Sequence, residues 1–140
     1  MSKITLSTLA ANAACAAICE LLDGGYACIF DGPRPSTGDA AIPRTATLLA
    51  KLQFARPAFM PPVDGVATAN AVVPDRDAQA EGKPKWFRLY RADGTTPVYD
   101  GDITTNQDGA MTVRASIIGQ HTEVTLDICV LRMPKVAASQ

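Results

Sequence analysis

The sequence predicts a mainly β domain of about six to eight short strands, a sandwich, jelly roll or barrel, preceded by one N-terminal α-helix. Three observations predict this class. The length of 140 residues fits a single domain covering residues 1–140. Ten glycines and ten prolines recur along the chain, as they do where short strands alternate with turns. After one alanine-rich segment, the apolar residues change from helical spacing to short runs rich in β-branched and aromatic residues.

Residues 7–22 are predicted to form the helix. Ser7 can cap its N-terminus, and Gly24 and Gly25 end it. Residues placed at intervals of 100° form a wide apolar arc, and the many alanines make the helix thin. A thin helix lets another backbone approach closely, either the sheet of the same chain or a neighbouring subunit. The residues predicted to make this packing or dimer contact are Ala10, Ala14, Ile18, Leu21 and Leu22.

The β domain is predicted to cover residues 26–133. Single strands are predicted at residues 26–30, 45–54, 65–73, 111–118 and 123–133. Alternation within the second of these places Ala46, Leu48, Ala50, Leu52 and Phe54 on one face. Residues 86–91 and 97–101 are predicted to form a hairpin around the turn at Asp93-Gly94. Pro134 ends the last strand, and residues 134–140 are predicted to be a flexible tail.

Charge and hydropathy exclude two classes of partner. Thirteen basic and fourteen acidic residues give a net charge of −1, so we expect no direct contact with nucleic acid. The longest apolar stretch, residues 9–22, contains Asn12 and Glu20 and is too short and too polar to span a membrane. Nor is it typical of a signal peptide, because only Lys3 precedes it. We therefore expect a cytoplasmic protein with reduced cysteines and no membrane contact.

Few residues suit catalysis or metal binding, so we expect neither an enzyme nor a cofactor. His121 is the only histidine, and it follows Gly119-Gln120 in a predicted turn. Cys15 and Cys19 lie one helical turn apart without a CxxC pair, so small core residues are favoured over metal ligands. No phosphate-binding glycine motif is present. These observations favour a structural binding module.

Two features favour a contact with another protein. Residues 31–44 and 55–64 form loops rich in proline and arginine, and interfaces are enriched in arginine, methionine and aromatic side chains. The strand at residues 86–91 has bulky side chains on both faces, and Phe87 and Leu89 are predicted to lie in the core. The predicted interface residues are Arg34, Pro35, Arg44, Phe59, Met60, Trp86, Arg88 and Tyr90. The alternative is that both loops are ordinary surface loops with a few residues on the core.

Two long segments carry a resemblance to a known family: LSTLAANAACAAICELLDGGYACIFDGPRP, residues 6–35, and GKPKWFRLYRADGTTPVYDGDI, residues 82–103. They resemble the capsid cementing, or decoration, proteins of tailed bacteriophages, especially short-tailed phages that infect Bordetella. The resemblance depends on their order and spacing, and it covers most of residues 6–103. It implies a jelly-roll-like sandwich that forms a homodimer on the capsid exterior of a virion made in the host cytoplasm. The implied partner is a major capsid protein of the HK97-like fold.

Two other functions remain open from the sequence. The chain could be a structural protein of the tail or of the head–tail connector, where small β-rich subunits form rings. It could also be a β domain that binds a small ligand, which requires a pocket with convergent polar groups. If the chain is a cementing protein, we expect the predicted helix region or an edge strand to make the dimer contact and the proline loops to contact the capsid.

Overall fold

The computed structural model describes residues 4–104 and 110–133 and confirms a mainly β fold with one N-terminal helix. Within them the elements are α1 Thr8–Leu21, β1 Tyr26–Asp31, β2 Thr47–Gln53, β3 Val66–Thr68, β4 Trp86–Tyr90, β5 Pro97–Thr104, β6 Met111–Val113 and β7 Leu126–Arg132. The Ser7 side chain accepts a hydrogen bond from the Ala10 amide, so it caps the helix as predicted. The predicted tail at residues 134–140 lies outside the described residues.

The seven strands form a mixed sheet in the order β2-β1-β4-β5-β6-β7-β3. All neighbouring pairs are antiparallel except β5 and β6, which are parallel. β5 connects two halves of the sheet: its first part pairs with β4, and Ile103 and Thr104 pair with Met111 and Thr112 of β6. Both halves contribute side chains to one apolar core, which is consistent with a β-sandwich-like fold.

The main core is a cluster between α1 and the two halves of the sheet. Its fully buried side chains include Cys15, Leu22, Ile29, Leu49, Phe87, Leu89 and Met111. Phe87 and Leu89 therefore have the core positions that the sequence predicts. Gly101 of β5 lies directly over the Phe87 ring, and a Cβ atom there would be 2.3 Å from Phe87 Cζ. Asp100 and Gly101 both lie within β5, although an Asp-Gly pair often forms a turn.

The buried face of α1 is rotated relative to the predicted one. Ala11 and Cys15 are fully buried together with the predicted Leu22, whereas Ala10 and Leu21 are exposed. The predicted Ala14 and Ile18 are half-buried. A polar contact sets this rotation: Asn12 Oδ1 accepts a 2.8 Å hydrogen bond from the Gly65 amide. The Cys15 thiol also donates to the Leu131 carbonyl at 3.6 Å.

β2 does not keep one apolar face along its length. The register between β1 and β2 shifts between Ile29 and Phe30, which pair with Ala50 and Leu48. This irregularity places Ala50, Leu52 and Phe54 in the main core, whereas Ala46 and Leu48 pack against a second cluster. The single predicted face for these five residues is therefore wrong.

A tight hairpin precedes β3, in place of the long strand predicted at residues 65–73. Val63 and Val66 exchange two backbone hydrogen bonds of 2.9 and 3.0 Å. The two residues between them, Asp64 and Gly65, have φ angles of 52° and 75°. Positive φ at both central positions is the requirement of a type I′ turn. The Met60 amide donates to the backbone carbonyl of Thr68, so residues 58–63 cover the outer edge of β3.

Candidate interaction surface

A second apolar cluster lies on the opposite face of β1 and β4. Its buried residues are Cys28, Phe30 and Trp86, and the rings of Phe30 and Trp86 stack with centroids 4.3 Å apart. Residues 33–46, which we call the strap, cross over this cluster and contribute Ile42 and Ala46 to it. Most other strap residues are exposed.

The strap is anchored to the sheet by a buried ion pair. The Arg88 side chain donates to both carboxylate oxygens of Asp100, at 2.7 and 3.0 Å. The same guanidinium donates to the carbonyls of Ala40 and Thr37 at 2.7 and 3.2 Å. The hydrogen bonds to Asp100 raise the pKa of Arg88, so the guanidinium stays charged although only 3% of the residue is exposed. A buried charge with a bidentate partner is the arrangement that a protein interior tolerates.

Three of the predicted interface residues lie inside the protein. Trp86 and Arg88 are buried beneath the strap, and Phe59 is buried against Phe54. Their contact with a partner would require displacement of the residues that cover them. Trp86 and Arg88 lie on the face of β4 opposite the core residues Phe87 and Leu89, and the strap is the loop that covers them. Sequence spacing carries no information about which loop packs on which face.

The other predicted interface residues lie at the surface or at its margin. Arg34 and Arg44 of the strap are exposed, as is Met60, whereas Pro35 and Tyr90 are half-buried. Arg34 Nη1 donates to Asp102 Oδ1 at 2.9 Å, in an ion pair that is open to solvent. Arg34 and Arg88 thus both contact β5 from the strap side of the sheet.

Met60, Pro61 and Val63 form an apolar ridge. Met60 is 48% exposed and Val63 is 69% exposed. A concavity of about 250 Å³ separates this ridge from α1, and one of about 570 Å³ lies beside Val66 and Thr68. Exposed apolar side chains grouped in this way are typical of a contact surface for another protein.

The outer face of α1 carries little charge. Leu9 is 82% exposed, and Ala10, Ala13 and Ala17 are exposed beside it. Glu20 is the one charged residue of this helix. Both ends of the sheet, by contrast, are paired: β3 with residues 58–63, and β2 with Val73 and with the Asp75 carboxylate that accepts from the Lys51 amide. Of the two predicted dimer contacts, the helix is therefore more accessible than an edge strand.

The four cysteines lie in the two apolar clusters. All four are buried and free of disulfides. Burial raises the pKa of the Cys19 and Cys129 thiols to about 12, and that of Cys28 to about 11. Each of these three thiols is therefore protonated at neutral pH, and a protonated thiol is a weaker nucleophile than a thiolate. Among residues 4–104 and 110–133, no group of three or more potential ligands is arranged to hold a metal ion.

His121 is paired with an exposed carboxylate. Its Nδ1 atom lies 2.7 Å from Asp77 Oδ1, and both side chains are about three-quarters exposed. The residue has a φ of 65°, which fits the predicted turn. The pair joins the loop at residue 77 to the loop at residue 121, and the buried thiols lie elsewhere.

A concavity of about 260 Å³ near Ile117 is lined mainly by apolar side chains and threonines.

The sequence interpretation missed Asp100 as the partner of Arg88. One signal could have identified it. An arginine in the middle of an otherwise apolar strand requires an anion, and the predicted hairpin places residue 100 opposite residue 88. It also missed the Val63-Asp64-Gly65-Val66 turn, although Asp-Gly between two valines is a strong hairpin signal.

Comparison of the chain with protein-family models, with curated proteins and with solved structures gave no match. Of the described residues, none belongs to a helix that is long and apolar enough to cross a bilayer.

Proposed function

We propose that this chain is a structural virion protein that cements the head of a tailed phage. In this proposal it binds the outer surface of the major capsid protein lattice, as a homodimer that bridges capsomers. A cementing protein stabilises the shell by mass action, because it binds the assembled lattice and not the separated subunits. The observation that carries the proposal is the strap, a proline-containing and mostly exposed loop that a buried arginine holds in place.

The two segments that resemble cementing proteins are neighbours in the fold. The first contains α1, β1 and the start of the strap, and the second contains the hairpin of β4 and β5. β1 pairs with β4 along its length, from Tyr26 opposite Tyr90 to Phe30 opposite Trp86. The ion pair between Arg34 and Asp102 joins the ends of the two segments. The resemblance thus refers to one continuous part of the molecule, which supports a shared role for it.

The proposed capsid contact consists of the exposed strap arginines and the apolar ridge. Arg44 supplies charge, and Met60 and Val63 supply apolar area. The buried anchor of the strap reduces the entropy lost when its residues become ordered in a complex. The outer face of α1 is the proposed dimer contact, because its small side chains allow two helices to approach closely about a two-fold axis.

Co-sedimentation with capsids that lack this protein tests the capsid contact. We expect the wild-type chain to sediment with capsids, and Arg44→Glu or Met60→Asp to lower the affinity by about tenfold or more. Arg76→Glu is the matched control, because it makes the same charge change at an exposed position outside the strap and the ridge. Equal binding by all four proteins would contradict the proposed contact surface.

Light scattering tests the dimer. We expect a dimer for the wild-type chain, and a monomer for Ala17→Glu, which puts a second charge on the outer face of α1. A wild-type monomer at high concentration, together with no sedimentation on capsids, would overturn the cementing proposal.

The two alternatives, a tail or connector protein and a β domain that binds a small ligand, predict different results with purified virions and with the purified chain. Mass spectrometry of purified virions should give a copy number comparable to that of the major capsid protein, whereas a low copy number favours a tail or connector role. Rings or tubes in negative stain would also favour that role. A thermal shift with a sugar or a metal ion would favour the small-ligand alternative.

A further inference from the structure

We propose that the strap is a hinged cover. Residues 33–46 open away from β1 and β4 as one unit while the main core stays folded, and Arg88 is the residue that holds them closed. This opening takes place in the isolated chain, so it goes beyond the capsid-binding role and does not depend on it.

The strap covers a cluster that is separate from the main core. In this second cluster the sheet supplies the buried residues Cys28, Phe30 and Trp86, and the strap supplies only Ile42 and Ala46, both half-buried. None of these five residues belongs to the main cluster. Lifting the strap therefore removes no side chain from the main core, and this is the condition for a local opening.

Side chains, not backbone pairing, attach the strap to the sheet. Between described residues, the hydrogen bonds from strap to sheet are all made by the guanidinium groups of Arg34 and Arg88. Among residues 4–104 and 110–133, the strap's bonds from backbone to backbone run within it, from the Ala40 amide to the Thr37 carbonyl and from the Ala46 amide to the Pro43 carbonyl. The strap can therefore move with its own turns intact.

Both ends of the strap meet at one place. Asp31 pairs with Thr47 at the end of the β1 and β2 ladder, directly outside the two ends of the strap. Gly32 has a φ of 94°, and a Cβ atom on it would lie 2.7 Å from the Thr45 carbonyl oxygen. The strap is thus a closed loop that can swing about this point without separating β1 from β2.

Opening of the strap leaves no buried charge unpaired, and it gives water access to one polar atom that is buried without a hydrogen-bond partner among the described residues. When the carbonyls of Thr37 and Ala40 leave, Arg88 keeps both hydrogen bonds to Asp100, and water can replace the two carbonyls. Trp86 Nε1, by contrast, is buried without a hydrogen-bond partner among the described residues. Water that enters beneath the open strap can accept this hydrogen bond, so opening offsets part of its own free-energy cost.

Native-state hydrogen exchange tests the proposal, because Trp86 is the only tryptophan and its indole N–H gives a single NMR signal. We expect this proton to exchange at least about tenfold faster than the Phe87 and Leu89 amides of β4. We also expect its rate to be insensitive to denaturant well below the unfolding midpoint, since local opening exposes little surface. The same rate and the same denaturant dependence for the indole and the β4 amides would overturn the proposal.

Arg88→Lys tests the role assigned to Arg88. Lysine keeps the charge beside Asp100 but cannot donate to two carbonyls and a carboxylate with a fixed planar group. We expect the indole exchange to become about tenfold faster or more, while Arg34→Lys, at the exposed strap ion pair, leaves it within about twofold. Equal effects of the two variants on the indole exchange rate would show that Arg88 does not hold the strap closed. If Arg88→Lys fails to fold, the wild-type denaturant series still decides whether the strap opens.

Discussion

At the scale of single residues, the pairing of Arg88 with Asp100 organises one side of the molecule. The two side chains are 4% and 2% exposed, so neither charge is solvated by bulk water. Each is stable in the interior because the other is there, and their interaction holds the backbone of the strap as well. Removing one partner leaves a buried, uncompensated charge, which costs more than removal of both.

A double-mutant cycle measures this dependence. We expect Arg88→Met to lower the free energy of unfolding by about 3–5 kcal/mol, because Asp100 then remains buried and unpaired. In Arg88→Met/Asp100→Leu, which replaces both charges by apolar groups, we expect most of this loss to be recovered. Urea unfolding of the two variants and of Asp100→Leu supplies the free energies. Additive effects of the two single changes would contradict the interpretation.

Asp93 is the residue whose pKa the structure lowers most clearly. The Thr96 hydroxyl and the amides of Thr95 and Thr96 donate to its carboxylate and lower its pKa to about 2. The unfolded value is about 3.9, so the ionised carboxylate favours the folded hairpin above pH of about 4. That contribution is lost as the pH falls through about 2.

An NMR titration of the Asp93 carboxyl carbon tests this assignment. We expect a midpoint near pH 2 for the wild-type chain. Thr96→Val removes the hydroxyl donor and should move the midpoint toward about 3.9. Thr95→Val is the control, because Thr95 donates through its amide alone and keeps it. A midpoint that stays the same in Thr96→Val would contradict the role of the hydroxyl.

At the scale of secondary-structure elements, the neighbours of a segment decide which face of it is buried. α1 is apolar around most of its circumference, so its sequence is compatible with several rotations. The contact of Asn12 with Gly65 selects one of them and buries Ala11 in place of Ala10. β2 is similar: an irregularity in its pairing with β1, invisible in the alternation of its residues, moves Leu48 to the other face.

Leucine substitutions on the two faces of α1 test its orientation. Ala11 is fully buried, so Ala11→Leu should overpack the core and lower the free energy of unfolding by about 1–3 kcal/mol. Ala13 is exposed but lies on the proposed dimer face, so both leucine variants are made in the Ala17→Glu background, in which that contact is removed; there Ala13→Leu should change stability by less than about 0.5 kcal/mol. Thermal or urea unfolding compares the two variants. If Ala13→Leu were the more destabilising, the assigned buried face of α1 would be wrong.

At the scale of the whole molecule, one sheet supports two unequal apolar clusters. The larger cluster lies among α1 and both halves of the sheet, and the smaller one lies beneath the strap. Cys15, Cys19 and Cys129 line the first, whereas Cys28 belongs to the second. Chemical modification of Cys15, Cys19 or Cys129 therefore detects exposure of the larger cluster, and modification of Cys28 detects exposure of the smaller one.

Alkylation with iodoacetamide at neutral pH tests whether the two clusters open separately. We expect the native chain to react slowly at every cysteine, since the thiols are buried and those of Cys19, Cys28 and Cys129 have a raised pKa. Cys28 should be modified first, because opening of the strap is sufficient to expose it. Peptide mass spectrometry gives the order, and denatured protein is the control in which all four react. Simultaneous modification of all four in the native chain would contradict separate opening of the two clusters.

The sequence by itself determined the class of the fold and its local elements. Serine capping, the spacing of apolar residues and the Asp-Gly turns act over a few residues, so α1, the hairpin of β4 and β5 and the core positions of Phe87 and Leu89 were predictable. Only the tertiary structure decided which faces are covered. The rotation of α1, the burial of Trp86 and Arg88 and the course of the strap depend on contacts between residues far apart in the chain, such as Arg88 with Ala40 and Asn12 with Gly65. Local sequence patterns do not contain these contacts, because a residue's spacing along its own element is the same whichever element packs against it.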